Sequence, residues 1–290
     1  MEVESKQTTL IVAHRGASHA APENTIPAFK QAFAEKADFI EGDFWMTADR
    51  QIVCIHDPNT ARVTNQKFNL DVRRSTLRQL KQLDVGSWKG QQFKGAAIPT
   101  LQELLDMLPA DKGLFVELKD TRPAFLERLK EIFTQYGMEP QRLRLIAFDP
   151  DLVKMTRKVF PDFKIYWLYN WYKVKETGDF SNTPHEILRM LEQLPCDGLN
   201  INPFPWIDLS FVQNLRQLNM DFCVYNVNSF DELLKLLTLG VDAIATDHPA
   251  KLRQQLEKYF NPLPLSRTKN EELKVKENGD YTFRNHPIED

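Results

Sequence analysis

The chain of 290 residues is 42% hydrophobic and 27% charged, so it has enough apolar content for a substantial buried core. A formal net charge of -3, without a long run of Lys or Arg, argues against a nucleic-acid or anionic-membrane surface. Three cysteines are too few for a disulfide framework and are expected to be reduced core residues. No secretory signal and no apolar run of roughly 20 residues are visible, so we expect a cytoplasmic protein without stable membrane insertion.

The first elements predicted are a buried strand and a capped helix. The β-branched run Thr8–Ala13 predicts the strand, which ends at His14. A polar loop follows, and Asn24 or Thr25 can cap the helix after it. Apolar residues between positions 26 and 37 recur with near-helical spacing, which supports that helix.

Two strand-like runs, Asp38–Met46 and Ile52–Ile55, come next. Their connector is too short for a crossover helix, so they predict an antiparallel hairpin. With the turn near positions 49 and 50, His56 pairs back opposite residue 42 or 43. The hairpin therefore predicts that His56 lies beside the acidic residues of the preceding strand.

Residues 58–98 do not continue the succession of strands and helices. We interpret them as a small insertion that can form a lid or one wall of a site. Leucine spacing predicts a helix over Asn69–Asp84, and the glycine-rich stretch after it predicts a loop. Pro99 and Thr100 then open a helix whose buried face is leucine-rich.

Strands and helices alternate through the rest of the chain. Counting the hairpin once gives eight main strands with helices between them, which predicts a closed (β/α)8 TIM barrel. An open doubly wound sheet is the alternative, but no G-x-G-x-x-G or P-loop motif is present. We expect one barrel domain over residues 1–260, which includes the insertion, and a polar C-terminal tail over 261–290 that Tyr281 and Phe283 can pin to the barrel.

Three carboxylates stand at the ends of neighbouring predicted strands. Glu41 and Asp43 are two residues apart and point to the same side of their strand, which is costly unless a cation or a shared proton compensates. Glu117 and Lys119 repeat this spacing on the next barrel strand. Oxygen-only ligands favour Mg²⁺, Ca²⁺ or Mn²⁺ over Zn²⁺. Either pair alone is better explained by an exterior position or a structural ion pair, whereas the three carboxylates together favour a metal platform.

Two histidines, His14 and His56, each end a strand-like run, and this places both at the C-terminal face of the barrel. A histidine pair can act as general acid and general base, because imidazole titrates close to neutral pH. Arg15 beside His14 offers bidentate contact to phosphate oxygens. Asp57 either orients His56 or caps the next segment.

The order of these motifs over about residues 8 to 255 closely resembles the glycerophosphodiester phosphodiesterases. Each motif is weak alone, and the combination is specific. The motifs are His14-Arg15-Gly16, Pro22-Glu23-Asn24-Thr25, Glu41-x-Asp43, His56-Asp57, Pro99-Thr100-Leu101, Glu117-x-Lys119 and the ending from Gly240 to Pro249.

The resemblance implies a barrel fold with a small insertion after the second histidine, and it implies roles for individual residues. Glu41, Asp43 and Glu117 are the implied ligands of one divalent cation, Mg²⁺ or Ca²⁺. Acid–base catalysis falls on His14 and His56.

Phosphate contact falls on Arg15 and Lys119. The implied reaction is metal-dependent hydrolysis of small glycerophosphodiesters, such as glycerophosphocholine or glycerophosphoethanolamine, to sn-glycerol 3-phosphate and an alcohol. Whether water or the glycerol 2-hydroxyl attacks, which histidine is the base, and the oligomeric state stay open.

Three departures from the family pattern stand out. The hairpin turn has Asp49-Arg50 where the family often has Asp-Gly, and Tyr225 occupies a position where the family often has tryptophan. The tail after Phe260 has no family counterpart. Two alternative functions are kept. One is a lipid-directed phosphodiesterase, which needs exposed aromatics near the barrel mouth, with Trp88, Trp167, Tyr169 and Trp171 as candidates. The other is a non-catalytic barrel that binds a phosphorylated ligand.

Overall fold

A computed structural model describes residues 9–175 and 180–260. Nine strands form one sheet in this part of the chain: β1 Leu10–Ala13, β2 Phe39–Met46, β3 Ile52–Cys54, β4 Gly113–Leu118, β5 Leu143–Ala147, β6 Lys164–Tyr169, β7 Gly198–Ile201, β8 Asp221–Val224 and β9 Ala243–Thr246. The helices are α1 Ile26–Ala34, α2 Leu77–Leu80, α3 Leu101–Met107, α4 Pro123–Gln135, α5 Pro150–Val159, α6 Pro184–Leu191, α7 Leu209–Gln217, α8 Phe230–Thr238 and α9 Pro249–Phe260.

Eight of the strands close into a parallel barrel. Their order is β1-β9-β8-β7-β6-β5-β4-β2, and β1 also pairs with β2, which completes the ring. Inward and outward side chains alternate, so that Leu199 and Ile201 of β7 pack in the large core between barrel and helices. The predicted (β/α)8 barrel is confirmed, and the alternative of an open doubly wound sheet is excluded by the β1–β2 pairing.

The predicted hairpin is confirmed. β3 pairs antiparallel with β2, with Cys54 opposite Phe44, and the Ile55 N–H donates to the Asp43 carbonyl at 2.9 Å. This register carries His56 to the level of residue 42, as predicted. The turn departs from the family's Asp-Gly, yet it keeps the backbone that glycine favours, because Arg50 has a φ of 58°.

The helix predicted over Asn69–Asp84 is wrong. The structure has a 3-10 turn at Val72–Arg74 and only one turn of α-helix, α2, after it. The break lies at Ser75, whose backbone is extended, and Thr76 then starts a new helix through a capping box with Gln79. The leucines whose spacing suggested a helix instead fill a small core of the insertion, formed by Val53, Ile55, Val63, Val72, Leu80, Leu83, Val85 and Ile98 with Leu70 and Leu77 at its edge.

Two smaller predictions concern where a strand ends and where a helix begins. The strand expected to reach Val227 ends at Val224, and the helix cap after the first strand is Thr25 rather than Asn24. The three cysteines are buried and unpaired, as expected. Within residues 9–175 and 180–260 none of the helices has the length and apolar character that crossing a bilayer requires. The tail over 261–290, with Tyr281 and Phe283, lies outside the described residues, so the domain division stays a prediction.

Candidate active site

Three buried carboxylates meet at the C-terminal end of β2 and β4. Asp43 lies directly opposite Glu117 in the parallel register, and Glu41 precedes Asp43 by two residues on the same inward face. One oxygen of each carboxylate lies within 4.8 Å of the others. In each side chain one buried oxygen makes no hydrogen bond of regular geometry among the described residues, namely Glu41 Oε1, Asp43 Oδ1 and Glu117 Oε1, although Lys119 Nζ lies beside the last two. Three buried carboxylates that converge with only one lysine ammonium among their facing oxygens fit a divalent cation.

The electrostatics of this cluster agree with that fit. Burial and the charges of Asp43 and Glu117 raise the pKa of Glu41 well above its usual value. Burial and the Asp43 charge raise the pKa of Glu117 to about 8. Burial also opposes ionisation of Asp43, but Lys119 and Arg15 hold its pKa below the usual value. Three carboxylates this close cannot all ionise without a further positive charge, and a divalent cation would supply it.

Lys119 and Arg15 bring the positive charge that the structure itself contains. Lys119 Nζ lies 3.1 Å from Asp43 Oδ1 and also contacts Glu117 Oε1, in neither case with hydrogen-bond geometry. Arg15 Nε lies 3.2 Å from Asp43 Oδ2, and the Arg15 N–H donates to Glu41 Oε2 at 2.9 Å. Both cations line the cavity described below, so they are available to an anionic ligand.

The loop that carries Arg15 depends on two neighbours. Gly16 has a φ of 82°, and a Cβ there would lie 2.6 Å from the backbone of Ala28, so glycine is required. Asn24 donates from Nδ2 to Asp43 Oδ2 at 2.7 Å and thereby joins the loop to β2. The sequence indicates Asn24 as a motif residue and a possible helix cap, and it does not predict the contact with Asp43.

His14 is held by a residue that is distant in sequence but follows the neighbouring strand β9. Its Nδ1 lies 2.7 Å from Asp247 Oδ1, although 233 residues separate the two in sequence. Asp247 also accepts from the Ser18 hydroxyl at 2.9 Å and the Asn228 amide at 2.8 Å. Burial opposes ionisation of Asp247, but the His14 contact and these donors hold its pKa below the usual value. The Asp247 carboxylate therefore fixes the orientation of the imidazole, and sequence reasoning assigned it no role.

His56 is held by its neighbour and by the insertion. His56 Nδ1 lies 2.6 Å from Asp57 Oδ1, so of the two roles open to Asp57 the structure shows the orienting one. Arg62 donates to both oxygens of Asp57, at 2.8 and 3.1 Å, and to both oxygens of Glu23, at 2.7 and 2.9 Å. Glu23 in turn accepts from Arg15 Nη1 at 2.9 Å. Arg62 thus links the two sides of the site, which agrees with an insertion that forms one wall of it, although the sequence did not point to this residue.

The protonation of His56 reflects this surrounding. Burial lowers its pKa, and the positive charges of Lys119 and Arg15 act in the same direction against the attraction of Asp43. A neutral imidazole, which can accept a proton, is therefore favoured near neutral pH.

A cavity of about 170 Å³ opens between these groups. Six of the seven predicted site residues line it, namely His14, Arg15, Glu41, His56, Glu117 and Lys119, and the seventh, Asp43, is fully buried beside them. Tyr225 forms part of the wall, where its ring stands edge-on to Phe148 at 6.3 Å. All seven predicted residues therefore gather in one place, and what each does in a reaction stays a prediction.

Comparison with known proteins gives a consistent result. The glycerophosphoryl diester phosphodiesterase family matches residues 14–251. A glycerophosphodiester phosphodiesterase of Caldanaerobacter subterraneus is 32% identical over 250 residues, which cover 84% of this chain and 96% of that protein. One of Bacillus subtilis is 28% identical over 261 residues, which cover 84% of this chain and 85% of that protein.

A solved phosphodiesterase structure is similar to this chain over most of its length. An Oleispira antarctica phosphodiesterase, in complex with the product sn-glycerol-3-phosphate, superposes with a TM-score of 0.73 at 26% identity. The match covers 86% of this chain and 96% of that one. This chain belongs to the glycerophosphoryl diester phosphodiesterase family, and it is an enzyme of the phosphodiester hydrolase class.

Proposed function

We propose that this enzyme hydrolyses small glycerophosphodiesters, such as glycerophosphocholine and glycerophosphoethanolamine, to sn-glycerol 3-phosphate and an alcohol. The observation that supports this most is the convergence of three buried carboxylates with two carboxylate-supported histidines on one cavity. The product bound to the Oleispira antarctica relative supports the same substrate class. The cytoplasmic location expected from the sequence is part of the proposal, and cell fractionation tests it.

Glu41, Asp43 and Glu117 would hold one divalent cation, Mg²⁺ or Ca²⁺, because the ligands are oxygens only. When bound, such a cation neutralises charge that develops on the phosphoryl group. Arg15 and Lys119 line the same cavity and would bind the remaining phosphoryl oxygens, Arg15 with its planar guanidinium and Lys119 as a point charge.

His14 and His56 would perform the proton transfers. One removes a proton from the attacking hydroxyl, whether that of water or the 2-hydroxyl of glycerol, and the other protonates the departing alkoxide. Asp247 and Asp57 each contact the Nδ1 atom of their histidine, which leaves both Nε2 atoms free for the substrate. The carboxylates also stabilise the imidazolium form that arises in either transfer.

The lipid-directed alternative is less well supported. Trp167 and Trp171 are only 2% and 3% exposed and belong to the core, and Tyr169 is half-buried. Trp88 of the insertion is 40% exposed and is the remaining candidate for a contact with an acyl chain.

Release of the head-group alcohol tests the proposal, with sn-glycerol 3-phosphate as a second readout for the two glycerophosphodiesters, because a lysolipid cleaved at the same bond gives choline and a lysophosphatidate. Glycerophosphocholine, glycerophosphoethanolamine and a long-chain lysophosphatidylcholine would be compared with Mg²⁺, with Ca²⁺ and with EDTA. We expect turnover of the first two that EDTA abolishes and one of the cations restores. Preference for the lysolipid would favour the lipid-directed alternative, activity unaffected by EDTA would refute the metal platform, and binding without turnover would favour a non-catalytic barrel.

A further inference from the structure

One wall of the cavity carries amide side chains that the chemistry above does not use. Asn200 lies on β7, one residue before the strand ends, and Asn226 follows β8. Both line the cavity with the acid–base and metal residues. In a ring of eight strands, β7 stands directly across from β2, and β8 stands across from β4. The amides therefore face the carboxylates of Glu41 and Glu117 across the barrel.

Asn200 points into the barrel. Its strand neighbours Leu199 and Ile201 both pack outward in the core beneath the helices, so alternation turns Asn200 inward. The residues beside it in the sheet register are Leu168 and Cys223, which also line the cavity and offer no strong hydrogen bond. The amide is thus a single polar group on a mostly apolar part of the wall.

The side-chain oxygen of Asn200 makes no hydrogen bond within the described part of the fold. Asn200 is only 4% exposed, and its Oδ1 has no hydrogen-bond partner among residues 9–175 and 180–260. The half-buried Asn226 Oδ1 also lacks a partner within that part of the chain. Buried polar groups are almost always paired, and an unpaired amide lowers the stability of the folded state. A group kept at such a cost in a ligand cavity is explained if the ligand supplies the missing hydrogen bond.

We propose that Asn200, together with Asn226, forms a subsite that recognises a hydroxyl of the glycerol moiety while the opposite wall holds the phosphate. This inference rests on the proposed function, and it makes Asn200 a specificity-determining residue. A hydroxyl can donate to an amide oxygen and accept from an amide nitrogen, whereas the choline head group has no N–H or O–H and an ethanolamine head group can donate but cannot accept. The subsite therefore distinguishes the glycerol side of the substrate from the head-group side.

The test compares two substrates in the metal-loaded full-length protein. Glycerophosphocholine carries glycerol hydroxyls, and bis(4-nitrophenyl) phosphate carries none. We expect Asn200→Leu, which keeps the side-chain shape, to lower kcat/KM about tenfold for glycerophosphocholine, as the loss of one hydrogen bond predicts. With bis(4-nitrophenyl) phosphate, the kcat/KM of the same variant should stay within about twofold of the wild-type value. Its Tm should not fall, because an unpaired buried amide has been replaced by an apolar group.

Cys223→Ala serves as the matched control, because Cys223 pairs with Asn200 across the sheet and faces the same cavity. We expect its ratio of the two rates to equal that of wild type. An equal loss on both substrates in Asn200→Leu, or no loss on either, would overturn the proposal.

Calorimetry separates this inference from the proposed function. We expect wild type to bind sn-glycerol 3-phosphate more tightly than inorganic phosphate, and Asn200→Leu and Asn226→Ala to lose most of that difference. This readout needs no turnover, so it decides on the subsite even if wild type hydrolyses neither ester. It also covers the case in which Asn200→Leu does not fold, since Asn226→Ala then carries the test. Equal binding of the two ligands by wild type would refute the subsite.

Discussion

The two histidines of the site are supported in different ways. His14 follows β1, and its partner Asp247 follows the paired strand β9, so the closed barrel itself holds the pair. His56 follows the hairpin, and its partner Asp57 is held by Arg62 from the insertion. The His14 side chain is 15% exposed and that of His56 is 35% exposed. One of the two proposed proton-transfer groups is therefore built into the scaffold, and the other depends on the insertion.

Removal of either imidazole should have the largest effect. His14→Ala and His56→Ala should each lower kcat by about a hundred- to ten-thousand-fold while leaving the fold intact, because each loses one proton-transfer partner. If water is the nucleophile, comparison of glycerophosphocholine with bis(4-nitrophenyl) phosphate separates the roles, since a nitrophenolate leaves without protonation; attack by the glycerol 2-hydroxyl predicts no turnover of the nitrophenyl ester even by wild type. The variant that loses less on the nitrophenyl ester lacks the general acid. Retention of most activity in either variant would end the assignment.

The supporting carboxylates should differ from each other. We expect Asp247→Asn to lower kcat/KM about a hundredfold, because the amide can present a donor to His14 Nδ1 and so favour the wrong tautomer. Asp57→Asn should cost only about tenfold, because the Asp57 charge is already shared with Arg62 and stabilises the imidazolium less. Steady-state rates of the two variants measure the difference. Equal losses would show that barrel and insertion support their histidines equally well.

The same substitution tests the pH dependence of stability. The pKa of Asp247 is lower in the folded protein than in the unfolded chain, so the ionised carboxylate stabilises the fold above its unfolded pKa. That contribution, about 1–2 kcal/mol, is lost as the pH falls through the folded pKa. Urea unfolding should therefore show a gap between wild type and Asp247→Asn at pH 6 that closes as the solution is acidified towards pH 2. A gap that widens on acidification would contradict the assignment.

Arg62 gives the most direct test of the insertion. Arg62→Ala should lower kcat/KM about tenfold, because Asp57 and Glu23 both lose a bidentate partner. Arg62→Lys should recover little of the lost kcat/KM, because an ammonium group cannot make bidentate contacts with two carboxylates at once. Added guanidinium should partly restore the activity of Arg62→Ala. Arg74→Ala is the matched control from the same insertion. The Arg74 side chain is 88% exposed, and its contact with Asp71 is long, at 4.0 Å. An equal effect of both variants would indicate loss of folding rather than of positioning.

The smallest effect concerns the hairpin that carries His56. Arg50 holds a φ of 58°, which costs a non-glycine residue about 1–2 kcal/mol, although glycine gives back part of this through its larger entropy loss. Arg50→Gly should therefore raise the free energy of unfolding by up to about 1 kcal/mol without affecting kcat. Chemical denaturation measures the change, with Arg50→Ala as the variant that keeps the strain. Destabilisation by Arg50→Gly would show that the arginine side chain stabilises the turn.

Much of the site could be predicted from local spacing. Alternation along a strand places Glu41 and Asp43 on one face, a short connector predicts the hairpin, and parallel neighbours bring Glu117 to Asp43. Each of these inferences needs only a few residues of sequence and the geometry of a strand. Together with the count of eight alternating strands and helices, they predict that the site residues gather at one face of a barrel.

The supporting partners could not be predicted in this way. Asp247 reaches His14 only because the barrel closes, and closure depends on the sum of all strands. Arg62 lies in a short 3-10 turn of the insertion, and the sequence predicted the local structure of this insertion wrongly. The side of the site that Arg62 contacts could therefore not be predicted. Asn200 is a polar residue in an apolar strand, and only the ring order shows what stands across from it.

The pairing of β1 with β9 has a consequence for how activity arises. His14 lies at one end of the barrel sequence and Asp247 at the other, so a growing chain has both histidines and all three carboxylates long before His14 acquires its support. Catalysis should therefore begin only when the last strand has docked. Turnover would then serve as a direct signal of ring closure, one that could be followed in time during refolding or synthesis.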